Sequence, residues 1–154
     1  MINSIPGRYF LVSGAGDALT PLNAFDGALR AAGIGDLNLV RVSSIIPPRC
    51  QKIDPQPIAP GTLVASAYAS ITSALPGELI AAGVAVGIPE ERDRAGVIME
   101  YSSRGHREEI EEIVTSMARH ALEARGLRVR MIDCRAVEVK VENVAAAFAG
   151  VVLI

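Results

Sequence analysis

Three apolar runs of strand length, residues 62–72, 79–88 and 95–101, follow one another with no room for a helix between them. Pro76-Gly77 separates the first two, and the charged stretch from Glu90 to Arg94 separates the last two. A chain written this way must build a multi-stranded sheet. A sheet must in turn lay its apolar face against another layer.

Two segments have the periodicity to supply such layers. Over residues 108–125, Ile110, Ile113, Val114, Met117, Ala121 and Leu122 fall on one side of a helix, with acids early, arginines late and Gly126 beyond the end. A shorter helix starts at Thr20, a capping residue, with Pro21 in its first turn. It carries a stripe of Leu22, Phe25, Leu29 and Ala32 and stops at Gly33. A strand over 9–13 precedes it and ends at Gly14-Ala15-Gly16, which reads as a tight turn or as a glycine pair that lets two backbones approach closely. Residues 38–44 read as a strand interrupted by Pro47-Pro48, because proline has no N–H to give a ladder. Residues 49–61 read as a surface loop. Residues 127–132 and 137–141 read as two antiparallel strands joined by a polar turn, with 144–154 as a last buried strand. Strands and helices mix without strict βαβ alternation, so the expected class is α+β, in layers, over one domain spanning 1–154 and without internal repeats.

Composition narrows the functions open to such a chain. Its 15 basic and 17 acidic residues leave a net charge of −2 with no long run of either sign, which gives no footprint for nucleic acid. Half of the 154 residues are hydrophobic and only 21% are charged, a globular and somewhat oily composition, so part of the apolar surface is expected in a subunit interface. The start, MINSIPGRYF, has no basic-then-apolar leader, and no segment approaches the ~18 unbroken apolar residues of a membrane span. Cys50 and Cys134 stand far apart in no metal-ligand spacing. A soluble protein of the reducing cytoplasm is the expectation, with no membrane partner.

Several familiar chemistries fail on spacing. Gly14-Ala15-Gly16 lacks the third glycine of a dinucleotide loop, since Leu19 stands there. His106 and His120 have no second histidine at ligand spacing, so no metal is expected. The G-x-S-x-G elbow of a serine hydrolase is absent.

The unusual block is Asn38-Leu-Val-Arg-Val-Ser-Ser-Ile-Ile-Pro-Pro48. Its ordinary reading is a strand end and a turn. Its chemical reading starts from a strained Ser43–Ser44 peptide: the Ser44 hydroxyl attacks the Ser43 carbonyl and leaves an ester, and elimination then gives dehydroalanine. Hydrolysis with loss of ammonia yields a pyruvoyl ketone, an electron sink that needs no pyridoxal phosphate. Asn38, at an even separation from Ser44, would share its face on a regular strand and could donate to the oxyanion; otherwise it makes a strand-end hydrogen bond. Glu100 closes the apolar run Gly96-Val-Ile-Met-Glu100, where desolvation would raise its pKa and suit a proton donor; otherwise it is a solvated strand end. Asp26, beside the stripe of the first helix, either faces water or receives a guanidinium in a two-bond fork.

The sequence resembles the pyruvoyl-dependent arginine decarboxylase family. The likeness runs through LVSGAGDALTPLNAFDGALRAAGIGDLNLVRVSSIIPP, LPGELIAAGVAVGIP, GVIMEY and the helix end EARG, and fades over the last ~30 residues. It implies a layered α/β sandwich with mostly antiparallel sheets, self-cleaved into a β chain, 1–43, and an α chain, 44–154. It implies that Ser43 and Ser44 flank the cut, Ser44 becomes the pyruvoyl group, and Asn38 assists. Glu100 would then protonate the α-carbon, and Asp26 would contact the guanidinium of L-arginine. The reaction implied joins the arginine α-amine to the ketone as a Schiff base and releases CO2 and agmatine. It also implies a homotrimer or dimer of trimers with active sites between neighbours. Rival readings are a pyruvoyl decarboxylase for histidine or lysine, and a non-catalytic oligomer binding arginine or a polyamine. One departure from the family pattern is Arg49, where a small residue, often glycine, is expected after the proline pair.

Overall fold

The computed structural model describes residues 4–154, so the first three residues of the MINSIPGRYF start lie outside the described residues. In chain order it runs β1 (Arg8–Ala18), α1 (Pro21–Ala31), β2 (Asn38–Arg41), β3 (Ile45–Ile46), β4 (Gln51–Lys52) and β5 (Leu63–Ser73). It continues with β6 (Leu79–Pro89), β7 (Gly96–Arg104), α2 (Arg107–Ala124), β8 (Val129–Lys140) and β9 (Val144–Leu153). The strands form a five-stranded sheet, β2-β5-β9-β1-β4, and a four-stranded sheet, β3-β7-β6-β8. Among the described residues, only β1–β4 and β2–β5 are parallel. The class is α+β with mostly antiparallel sheets, as expected.

Side-chain alternation stacks these elements in four layers. On β1, Phe10 and Val12 face α1, while Tyr9 and Leu11 face the second sheet. On β6, Ile80, Ala82, Val84 and Val86 face the first sheet, while Ala81 and Ala85 face α2. The order is therefore α1, five-stranded sheet, four-stranded sheet, α2. Strands β6 and β9 lie inside with both faces covered, so their sequences read as unbroken apolar runs.

The Gly14-Ala15-Gly16 stretch is not a tight turn, because β1 continues through it to Ala18. The close-approach reading holds instead. A Cβ on Gly16 would lie 2.5 Å from the Ala24 carbonyl oxygen and 2.7 Å from the Ala28 nitrogen, and one on Gly14 would collide with the backbone at Ala28 and Ala32. Helix α1 therefore rides on bare strand backbone. Its buried face is Ala24, Ala28 and Leu29, which turns Leu22 outward to 76% exposure and corrects the expected stripe. Its ends match expectation: the Thr20 hydroxyl oxygen accepts from the Asn23 N–H, Pro21 opens the first turn, and Gly33 takes φ +79°.

The two strands expected over 127–132 and 137–141 are one, β8, paired with β6 along its length. The polar residues that suggested a turn lie on an edge strand, where charges are tolerated when partnered. Asp133 pairs with Lys52, and the Arg135 Nε donates to the Ser13 hydroxyl at 3.0 Å. The expected loop over 49–61 holds the short strand β4. No helix among the described residues is long and apolar enough to cross a membrane.

Candidate functional site

The serine pair occupies the crossing from one sheet to the other. Strand β2 ends at Arg41, earlier than the expected run to Ser44, although the Val42 N–H still reaches the Ser66 carbonyl at 3.1 Å. The chain then leaves the five-stranded sheet and joins the four-stranded one at β3, where Ile45 stands opposite Val97. Between them, the Ile98 N–H donates to the Ser44 carbonyl at 2.9 Å, and the Ile45 N–H donates to the Ser43 carbonyl at 2.9 Å. The second bond closes a three-residue γ-turn centred on Ser44. It places a backbone donor on the carbonyl of the Ser43–Ser44 peptide.

Glu100 reaches the same corner from β7. The Ser44 hydroxyl donates to its Oε2 at 3.3 Å, while the Arg41 Nη2 lies 3.7 Å from its Oε1. The Glu100 side chain is 24% exposed. Desolvation pushes its pKa above the ordinary carboxylate value, against the opposing pull of the Arg41 charge and the Ser44 hydrogen bond. Arg41 is itself held, since its Nη2 donates to the Tyr68 carbonyl at 2.9 Å and its guanidinium lies 4.6 Å from the Tyr68 ring centroid. One carboxylate thus sits between a hydroxyl and a guanidinium, half withdrawn from water. This arrangement can take a proton from Ser44 or hold one for delivery.

The fold brings Ser44 and Glu100 together, with Ser43 beside Ser44 in the γ-turn. Asn38 and Asp26 are placed elsewhere within the chain. The Asn38 Nδ2 donates to the Gly61 carbonyl at 3.0 Å, at the start of β2. Asp26 lies on α1, in the outermost layer, 53% exposed, and forms an i,i+4 ion pair with Arg30 at 3.0 Å. Sequence reasoning missed Arg41 and the Ile45 N–H. The only signal for Arg41 was a lone charge inside an apolar block, and a backbone donor leaves no mark in the sequence at all.

A second cluster lies outside this corner. Ligand atoms of His106, Glu108 and Glu138 fall within 4.8 Å of one another, a grouping invisible to local spacing because Glu138 comes from β8. Arg107 ties both acids, through its Nη2 to Glu108 at 3.4 Å and its backbone N–H to Glu138 at 3.3 Å, as in an ordinary ion-paired helix start. Cys50 and Cys134 are free and half-buried.

A sequence model of the family described as pyruvoyl-dependent arginine decarboxylase matches residues 8–153. Curated relatives carry the same description. The protein of Methanococcus vannielii is 45% identical over 148 residues, covering 96% of this chain and 90% of the relative. That of Methanocaldococcus jannaschii is 43% identical over 149 residues, covering 97% and 90%. That of Pyrococcus abyssi is 38% identical over 151 residues, covering 96% and 95%.

Proposed function

The chain belongs to the pyruvoyl-dependent arginine decarboxylase family, and on that footing we propose that it cuts itself between Ser43 and Ser44 and then converts L-arginine to agmatine and CO2. The observation that carries the proposal is the Ser44 hydroxyl hydrogen-bonded to Glu100 beside a carbonyl already held by the Ile45 N–H.

Maturation uses the chain's own atoms. The Ser44 Oγ, oriented by its hydrogen bond to Glu100, adds to the Ser43 carbonyl carbon, its proton passes to the departing Ser44 nitrogen, and the Ile45 N–H stabilises the oxyanion. The C–N bond breaks, leaving a Ser43 ester on Oγ and a free amine on Ser44. Loss of the α-proton expels the Ser43 carboxylate, and water then replaces the nitrogen as ammonia. Fragments 1–43 and 44–154 result. Asn38 acts from the start of β2 by holding the Gly61 loop against the strand, or by turning to the serine pair during attack.

The corner fits a pyruvoyl group derived from Ser44, because Ser44 is half-buried and its carbonyl stays anchored by the Ile98 N–H, which survives the cut. A ketone there supplies an electron sink for the carbon that loses CO2. Glu100, with its raised pKa, holds the proton that carbon receives. Arg41 fixes the carboxylate's position and limits how far its pKa climbs. Neither pyridoxal phosphate nor a metal enters the scheme.

Asp26 reads the substrate guanidinium from a neighbouring copy, in a homotrimer or dimer of trimers with sites between subunits. Its exposed place on the outer helix beside the outward Leu22 supports this. The cytoplasm is the proposed location. Intact mass and Edman sequencing of purified protein, followed by incubation with arginine, test the whole proposal. Two pieces, the larger blocked at its N-terminus, and agmatine are expected; an unblocked full-length chain that is active would sink the mechanism.

A further inference from the structure

Four arginines from three separate segments converge on one hollow next to the cleavage corner. Arg49 follows β3, Arg92 and Arg94 lie in the turn between β6 and β7, and Arg130 starts β8. The hollow has a volume of about 530 Å³, with Pro47, Ile88 and Pro89 in its wall. Among the described residues, none of the four guanidinium groups takes part in an ion pair. The one acid in the lining, Glu91, is committed elsewhere: Arg128 meets its Oε1 through Nε at 3.1 Å and its Oε2 through the backbone N–H at 3.2 Å. Asp93 shares the turn with Arg92 and Arg94 but does not line the hollow. Four like charges gathered over apolar walls repel one another unless an anion joins them.

The backbone shows a second peculiarity at the same place. The Cys50 N–H donates to the Pro47 carbonyl at 3.2 Å, closing a turn with Pro48 in second position and Arg49 in third. Arg49 takes φ +64°, alone among the described non-glycine residues. A turn of this pattern, type II, favours glycine there, because a side chain at positive φ is strained. The sequence places a cation at that strained position, and Arg49 is one of the residues lining the hollow.

We propose that this hollow binds a polyphosphate group, whose several oxygens can accept the paired N–H forks of Arg49, Arg92, Arg94 and Arg130 together. Guanidinium recognises phosphate through two parallel bonds, and the volume lies within the range of small-molecule sites. The occupant ties the Pro47–Cys50 turn to the β6–β7 turn, just downstream of Ser44. The proposal stands apart from the decarboxylase reading, since it uses none of the same side chains.

The test is calorimetric titration of the full protein with inorganic triphosphate and with ATP, at constant ionic strength, against sulfate. Saturable binding of triphosphate with one site per chain is expected, at least about tenfold tighter than sulfate, and at least about tenfold weakened by Arg92→Ala with Arg130→Ala. ATP binding equal to triphosphate assigns the site to the phosphates alone; tighter ATP binding adds a nucleoside to the same site. Arg49→Gly should weaken triphosphate binding yet raise Tm in phosphate-free buffer, opposite signs that a merely structural residue would not give. Binding no tighter than sulfate, or unmoved by the double substitution, overturns the proposal. So does a fall in oligomer size in the double variant without triphosphate binding in the wild type, which would make the hollow a contact between copies.

Discussion

The stretch before the serine pair and the stretch after it are built on different terms. Residues 44–154 contain the whole four-stranded sheet, with α2 packed on it, and strands β4, β5 and β9 of the other sheet. Residues 4–43 contribute β1, α1 and β2, whose strands never pair with each other. β1 lies between β9 and β4, and β2 pairs with β5. The shorter stretch therefore takes its order from the longer one. A cut at the junction removes a covalent bond and no strand pairing, which is how a protein can spend a peptide bond on chemistry without losing its sheet.

The sharpest way to break this comparison is Ser44→Ala. The two stretches should remain one chain on denaturing electrophoresis, with no agmatine formed, because the attacking oxygen is gone. Cleavage in that variant would place the nucleophile elsewhere. Glu100→Gln separates the two jobs of the corner. Its amide oxygen still accepts from Ser44, so both fragments should form, while kcat falls by about 10²–10⁴ for want of a proton donor. Near-normal turnover would remove Glu100 from that role.

The contrast between stretches also marks what sequence reading can reach. The alternating and unbroken apolar runs of β5, β6 and β7, and the helix leading to Gly126, follow from periodicity, so these elements were legible, although the buried face of α2 takes Ala118 and leaves the expected Ile113 exposed. Glu100 was legible as an acid after an apolar run, but not as a strand end, because β7 continues past it to Arg104. Gly14 and Gly16 looked like a turn because sequence records only that glycine permits unusual backbone; the need to seat α1 is a tertiary fact. β8 looked like two strands because Asp133 and Arg135 find their partners on β4 and β1, far away in the chain. Arg41 acquires its meaning from Tyr68 and Glu100, neither of them a sequence neighbour.

Smaller effects sharpen the comparison further. Asp26→Asn should lower kcat/KM for arginine by at least about tenfold and that for lysine by less, because both lose the opposing charge but only arginine also loses one of the two acceptor oxygens of the fork. An unaltered arginine-to-lysine ratio would show that the guanidinium is read elsewhere. Gly16→Val forces branched carbons into the backbone of α1, and should cost about 1–3 kcal/mol in denaturant unfolding, loosening the hold on residues 4–43. An unchanged midpoint would mean the helix can shift freely. Arg41→Gln should act least. It removes an influence that lowers the Glu100 pKa, so the protonated donor persists to higher pH and the alkaline limb of kcat moves upward. A limb that stays in place would detach Arg41 from the titration.

The position of β1 also sets a timetable. It is made before every other described strand, yet its long antiparallel neighbour β9 is made after them, with Tyr9 opposite Leu153 and Ala18 opposite Val144. A nascent chain must hold its first strand unpaired on that side until its last one emerges, the slow, non-local kind of assembly. β9 also pairs with β5, which carries β2 and so the approach to Ser43. If the chain cuts itself at Ser43–Ser44 as proposed, the cut is expected only after synthesis has passed Leu153, and a chain truncated before β9 should stay uncut.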